Sequence, residues 1–308
     1  MLDVRKLRLL RELKVRGTVT GVAEALSYSP SSVSQQLAAL ERESGVRLLV
    51  KVGRRVQLTP QAEILVEHTA EILDLLEEAE AELAASLTTV TGVVRIAVFQ
   101  SAAHAVIPRA LSILAAEYPD LRVEVTEREP ELGLFEVSAR DFDLVIAEQY
   151  PGSTRALRPD LDRVDLTTDR IRLATAAAKG ARIAAASLAD TADLPWVMEP
   201  EGTAARTWAV QLCRASGFEP DVRYETADLV AHIRLIGSGN AVGLLPDLVW
   251  AGDEPSVRVL DLPGSPQRTI FTSARRTSAS RPGVVACRDA LARAVASVRP
   301  VEVLGSEA

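Results

Sequence analysis

Between Gly17 and Leu58 the chain reads GTVTGVAEALSYSPSSVSQQLAALERESGVRLLVKVGRRVQL, and its punctuation permits few folds. Thr18 suits the N-cap of a short helix on which Val22, Ala23 and Leu26 recur at helical spacing. Ser29 suits the cap of a second helix, with Pro30 at its first position, where a missing N–H costs nothing, and Gly45 just past its end. Val33, Leu37 and Leu40 share one face of this second helix, and the other carries Ser31, Ser32, Ser34, Gln35 and Gln36. Beyond it, Lys51, Arg54 and Arg55 surround Gly53 between two apolar runs, the pattern of a short basic hairpin.

Two short helices, a tight turn and a basic hairpin are the layout of a winged helix-turn-helix. On that layout the second helix is the recognition helix, with Ser31, Ser32, Ser34, Gln35 and Gln36 offering short polar groups to double-stranded DNA. Arg54 and Arg55 are then expected on phosphate. Similar helix pairs occur in domains that never meet nucleic acid, so the distribution of charge matters. Residues 1–60 hold 11 Lys and Arg against 5 Asp and Glu, a balance of +6. The remaining residues hold 24 against 37, a balance of −13, so the overall −7 conceals a basic head on an acidic body.

From Pro60 to Val90 there are eight acidic residues and no Lys or Arg. Leu58, Leu65, Ile72 and Ala79 recur every seven residues, with Ala62, Thr69, Leu76 and Leu83 offset by four. A long helix over about 61–91 is predicted. It serves either as one amphipathic helix packed on its own chain or, as a two-fold DNA site favours, as a dimerising linker that ends in a hinge at Thr88–Gly92.

After Gly92 strands and helices alternate. Val93–Val98, Leu121–Glu127 and Asp143–Ala147 read as strands around a helix at His104–Glu117. A second series follows: strands at Ile171–Thr175, Trp196–Met198, Val222–Glu225 and Ala241–Leu245, and helices at Thr203–Ser216 and Ala227–Ser238. Arg268–Ser273 and a final helix at Val284–Val298 lead back to the first series. The fold class is α/β: a winged head over 1–60, a linker over 61–91, and a two-lobed domain over 92–308. Lobe 1 spans about 92–166 and 267–300, lobe 2 about 167–263, with crossings near Thr167 and Pro263.

The run VAEALSYSPSSVSQQLAALERESGVRLLVKVGRRVQLTP resembles the N-terminal domain of LysR-type transcriptional regulators. That family places an A-A-x-x-L helix before an S-x-x-x-S-x-x-I/L-x-x-L-E recognition helix, then G-V-x-L-F, a basic wing and L-T. The phrases AAEYPDLRVEV, DFDLVIAE and GSGNAVGLLP occupy the places of common elements of its periplasmic-binding-protein-like effector domain. The resemblance implies a regulator that binds operator DNA as a homodimer and senses a small-molecule effector between its lobes. Tetramers are common in the family, and nothing in the sequence decides between the two.

A ligand in a two-lobed α/β unit is expected where strand ends and helix N-termini face the crevice. Here those places are Gln100, Ser101 and Ala102 after the first strand, Glu148 after the third, and Thr203 at the start of a helix. In the family the hydroxyls at Ser101 and Thr203 often touch the inducer; the alternative is that both are ordinary N-caps. Glu148, with Glu199 or Glu201, would oppose an anionic effector and favour an amine or a neutral molecule. His104 is a further neighbour, more ordinary as a surface or capping group.

Other classes find little support. Gly237, Gly239 and Gly243 run from helix to strand, the reverse of a dinucleotide fingerprint. His68, His104 and His232 lie in different elements, no nucleophile elbow or metal motif is present, and no metal, cofactor or catalytic residue is expected. Cys213 and Cys287 read as buried free thiols. The N-terminus lacks the apolar core of a signal peptide and no apolar run approaches the ~18 residues of a membrane span, so the cytoplasm is the expected location. A cytoplasmic two-lobed binding protein whose head serves only dimerisation is the alternative to a regulator.

Overall fold

The computed structural model describes residues 2–53, 55–153, 158–177, 183, 185–250 and 252–298, and the side chain of Arg55 lies outside that description with Arg54. The chain forms two compact units, the first made of Met1–Thr88 with the short pieces Ala139–Asp141 and Ser280–Pro282, the second of the remainder.

The first unit begins with α1 (Val4–Arg16), α2 (Val19–Leu26) and α3 (Pro30–Ser44). Local chemistry sets each end. Asp3, Thr18 and Ser29 accept hydrogen bonds from Arg5, Gly21 and Ser32 N–H groups, and α3 stops at Gly45, whose φ of +70° is a left-handed conformation that an L side chain resists. Leu10 and Leu13 of α1, Val22 of α2 and Val33, Leu37 and Leu40 of α3 meet in one core. The sequence reading did not include α1, because its six Lys and Arg residues interrupt the leucines that build its inner face. The hairpin follows as β1 (Leu49–Val52) and β2 (Arg55–Leu58), paired antiparallel. Glu41 binds it to α3: one carboxylate oxygen accepts from Leu48 N–H at 2.8 Å and Leu49 N–H at 3.1 Å.

Next comes α4 (Pro60–Ala85), 26 residues capped by the Thr59 hydroxyl, which accepts from Ala62 N–H at 3.2 Å and donates to Arg47 O at 2.8 Å. Ala62 is fully buried in the core of the head, and Leu58, Leu65 and Val66 pack against that core. Ile64 on the outer side of the same turn, and further along Ile72, Leu75, Leu76 and Leu83, are exposed.

The second unit is a two-lobed α/β assembly. Lobe 1 contains β3 (Gly92–Val98), α5 (Gln100–Ala105), α6 (Ile107–Glu117), β4 (Leu121–Glu127), α7 (Pro130–Ser138) and β5 (Leu144–Gln149). Then β6 (Val164–Thr175) runs from lobe 1 into lobe 2, which holds β7 (Pro195–Met198), α8 (Ala204–Ala215), β8 (Asp221–Glu225), α9 (Leu229–Gly237), β9 (Gly243–Pro246) and β10 (Arg258–Asp261). Finally β11 (Gln267–Ser273) and α10 (Pro282–Ala296) return to lobe 1. The main sheet has the order β10-β6-β11-β5-β3-β4, with β9 also paired to β6; β3 is parallel to β4 and β5, and β11 is antiparallel to β5 and β6.

In the second unit, further details depart from expectation. The helix predicted over His104–Glu117 is two helices, interrupted at Val106, because Pro108 has no N–H for His104 O and its ring crowds that carbonyl. The strand predicted over Ile171–Thr175 extends back to Val164, since Asp165, Thr167, Thr168 and Asp169 disguise a segment whose partner is β11. Helix α7 was not anticipated. Its Gly133 packs so tightly that an added Cβ would sit 2.8 Å from Val145 Cγ2.

The Glu41 contact carries a prediction. Glu41→Ala leaves the Leu48 and Leu49 N–H groups without their acceptor, and the head should lose about 1–3 kcal/mol of stability, read as a lower urea midpoint.

Candidate functional site

On the head, the outer face of α3 is polar and open. Ser31, Ser34, Gln35 and Gln36 are exposed and Ser32 is partly so, while Val33, Leu37 and Leu40 behind them are buried. Serine geometry is set locally: Ser29 Oγ lies 3.0 Å from Ser31 Oγ, and Ser34 Oγ donates to Pro30 O at 2.9 Å. The glutamine side chains have no such internal bond among the described residues and remain available to an outside partner. Lys51 is exposed on β1. Arg54 lies outside the described residues; Arg55 begins β2, with its side chain undescribed.

In the sensor the chemistry gathers where β6 and β11 pass between the lobes. Arg268 lies directly across the ladder from Asp169. Its Nε and Nη2 donate to Asp169 Oδ2 at 2.9 and 2.7 Å, Nη2 donates to Ser101 Oγ at 2.7 Å, and Nη1 donates to Glu148. The guanidinium stands 5.1 Å from the centre of the Phe99 ring. Asp169 uses its other oxygen to accept from Leu248 N–H at 3.0 Å. Arg268, Glu148, Asp169 and Ser101 are all buried. Burial alone would lower the Arg268 pKa, but Glu148 and Asp169 outweigh it and hold the guanidinium charged. Burial, then the Glu148 charge, raises the Tyr150 phenol well above its ordinary value.

Beside this network a cavity of about 400 Å³, counted out to solvent, is lined in part by Tyr150, Met198, Glu199, Arg206, Trp208 and His232. The Glu199 carboxyl is pushed up to about 8, first by burial and then by the charges of Glu148, Glu129 and Glu131, with Arg268 opposing. Arg206 donates to Glu199 O at 3.1 Å and lies 3.5 Å from the Glu225 carboxylate.

The residues expected around the effector have different fates. Gln100 bridges the crevice: its Oε1 accepts from Leu229 N–H at 2.8 Å and its Nε2 donates to Asp228 at 3.4 Å. Ser101 is not an N-cap; it is the second residue of α5, buried and bonded to Arg268. Ala102 is fully buried, its side chain in the apolar core of lobe 1. Thr203 is the cap of α8, accepting from Arg206 N–H at 3.2 Å and donating to Pro200 O at 2.9 Å. Glu201 and His104 are exposed. Arg268, Asp169, Tyr150, Trp208 and His232 were missed. A signal existed for Arg268, which shares the period-2 face of β11 with Ile270 and Thr272, a buried face where a charge requires a partner.

A winged DNA-reading head joined in one chain to a two-lobed α/β domain is the layout of a ligand-responsive transcriptional regulator. Residues 4–63 match the model of the bacterial regulatory helix-turn-helix protein, lysR family, and residues 87–296 match that of the LysR substrate binding domain. The chain belongs to the LysR family of transcriptional regulators. It is 28% identical to the transcriptional dual regulator GltC of Bacillus subtilis over 84% of this chain and 85% of that protein. It is 29% identical to a probable hydrogen peroxide-inducible genes activator of Mycobacterium avium, over 74% and 72%. Among solved structures, a full-length OxyR variant from Pseudomonas aeruginosa shares the fold with a TM-score of 0.68 at 16% identity, over 94% of this chain and 95% of that one. Full-length CbnR complexed with target DNA does so with a TM-score of 0.54 at 20% identity, over 95% and 100%. No helix among the described residues is long and apolar enough to cross a membrane.

Two outcomes follow from these charges. Arg268→Ala leaves Glu148 and Asp169 buried without their cation and should cost the sensor about 3–5 kcal/mol in a urea titration. The Glu199 carboxyl, at 4.5 when unfolded and about 8 when folded, keeps its proton only in the folded state between those values. Its contribution to stability is whole below the lower value and is lost as pH rises through the upper one. Glu199→Gln escapes that loss, so its melting temperature should match the parent near pH 4.5 and exceed it by several degrees near pH 8.

Proposed function

We propose that residues 1–60 read operator DNA through the outer face of α3, that 61–91 pair two chains, and that 92–308 sense a small molecule in the crevice between lobes at 92–166 with 267–300 and 167–263. The observation that carries the reading is the division of α3 into a buried apolar face and an exposed face of Ser31, Ser34, Gln35 and Gln36, with Ser32 at its margin. Gln35 and Gln36 are the base-edge readers, since a carboxamide pairs in bidentate fashion with adenine. Arg54 and Arg55 are the phosphate contacts.

Pairing through α4 is supported by its exposed Ile64, Ile72, Leu75, Leu76 and Leu83, an apolar series costly to leave in water. A homodimer presents two recognition helices to a two-fold site, and a homotetramer is compatible with the same face. DNA as the target places the protein in the cytoplasm. On the sensor side, Gln100, Ser101, Glu148 and Thr203 border the effector, with Gln100 acting as a latch between the lobes. The effector switches the regulator by preferring one lobe arrangement over another.

Peroxide sensing, the role in the name of the mycobacterial relative, fits poorly. Cys213 in α8 and Cys287 in α10 lie in the cores of different lobes, and burial pushes both thiols up to about 12, where reactive thiolate is scarce.

Gel-shift titrations against an operator test the DNA face. Gln35→Ala or Gln36→Ala should reduce the preference for operator over unrelated DNA by roughly tenfold, at about 1–3 kcal/mol per bidentate contact. Arg54→Ala should weaken both equally and flatten the salt dependence. Full operator affinity and preference after both glutamine changes would remove α3 from the reading.

A further inference from the structure

The unpaired groups of the lobe 2 cavity indicate what kind of molecule enters it. His232 is 2% exposed, and its Nε2 lies 2.8 Å from Thr226 O. A carbonyl only accepts, so Nε2 carries the hydrogen and Nδ1 keeps a bare lone pair. Burial lowers the His232 pKa and favours that neutral ring. Nδ1 has no partner, although it is buried and its ring lines the cavity. An acceptor in that state costs free energy until a donor arrives. Glu199 is half-buried rather than enclosed, and its side chain has no hydrogen-bond or ion-pair partner among the described residues.

The surroundings favour positive charge. Glu148, Glu129 and Glu131 act on Glu199 from across the crevice, while Arg268 already serves both Glu148 and Asp169. Arg206, the cation on the cavity wall, is directed to Glu199 O and Glu225. A carboxylate entering here would find acceptors unpaired and both guanidinium groups engaged. Tyr150 and Trp208 complete the wall, their ring centres 5.5 Å apart at 36°, and aromatic faces attract cations.

We propose that the effector is a small organic cation whose ammonium N–H groups are accepted by Glu199 and His232 Nδ1, with its apolar portion against Trp208, Tyr150 and Met198. This rests on the reading of the crevice as the sensor site. Entry of the cation favours ionised Glu199, which releases a proton to solvent and leaves a neutral pair in the cavity.

The test uses the full-length chain and three probes of one shape: 2-phenylethylammonium, 2-phenylethanol and 3-phenylpropanoate. Binding is followed by tryptophan fluorescence, with Trp208→Phe identifying the signal from the cavity. The ammonium should bind about tenfold more tightly than the alcohol, and the carboxylate most weakly. Glu199→Gln, of the same shape, should lose that tenfold preference, and Glu129→Gln at the exposed lip should lose part of it. The proposal is overturned if the carboxylate binds most tightly, if Glu199→Gln keeps the ammonium affinity, or if none of the probes binds at millimolar concentration. A carboxylate signal that disappears in Trp208→Phe overturns only the charge class and leaves the crevice as the sensor site. A carboxylate affinity left unchanged by Trp208→Ala, read through Trp196 and Trp250, places binding elsewhere and refutes the crevice as well.

Discussion

The buried guanidinium of Arg268 governs the sensor. One cation, withdrawn from water, is satisfied by two carboxylates and a hydroxyl drawn from β6, β5 and α5, and it rests beside the Phe99 ring. Each partner would be expensive to bury alone, and so would the arginine. The set is therefore cooperative: the register of β6 against β11 brings Asp169 opposite Arg268, and the end of β5 must arrive at the same place for Glu148 to share it. A network of this kind specifies an arrangement more than it adds stability, because an apolar core of the same volume would hold the strands equally well. Here it fixes the floor of the crevice between the lobes, where two carboxylates share the one guanidinium of Arg268.

Legibility followed the distance over which each interaction acts along the chain. Helix ends were readable where their causes are local and were read as such: Ser29, Pro30 and Gly45 define α3 within its own sequence, whereas α4, predicted over about 61–91, ends at Ala85. The polar face of α3 was readable for the same reason. The Arg268 network was not, since its partners lie 99, 120 and 167 residues away, and only the fold makes them neighbours. Ser101 illustrates the difference. Its position at the crevice was visible from the strand that precedes it, but its bond to a buried arginine depends on a strand near the other end of the chain. Ala102 shows a one-residue limit: next to Ser101 on the same helix, its side chain enters the apolar core instead. His232 was visible as a lone histidine, whereas its tautomer and its unpaired nitrogen depend on Thr226 O and on the cavity beside it.

The head solves a different problem, that of presenting a polar helix face rigidly. Three helices share one apolar core, and the Glu41 carboxylate joins the end of α3 to the first strand of the hairpin through two main-chain N–H groups. Helix and hairpin are consequently held as one body at the place where loops are usually loosest. Thr59 extends the same logic to α4, since its hydroxyl caps that helix and also holds Arg47 O. Orientation at the start of α4 is thereby set by the residues that shape the head.

A last consequence belongs to β6. As a continuous strand of 12 residues it is laddered to β11 on the lobe 1 side and to β9 and β10 on the lobe 2 side. Its partners change between Arg170 and Ile171, from β11 to β9 and β10, so each lobe holds its own stretch of the same strand. The economical deformation is torsion, with the register shift between Ile270 and Phe271 supplying the one compliant point in the adjoining ladder. Any change in lobe arrangement must therefore be taken up in β6 and in the return segment that leads to β11.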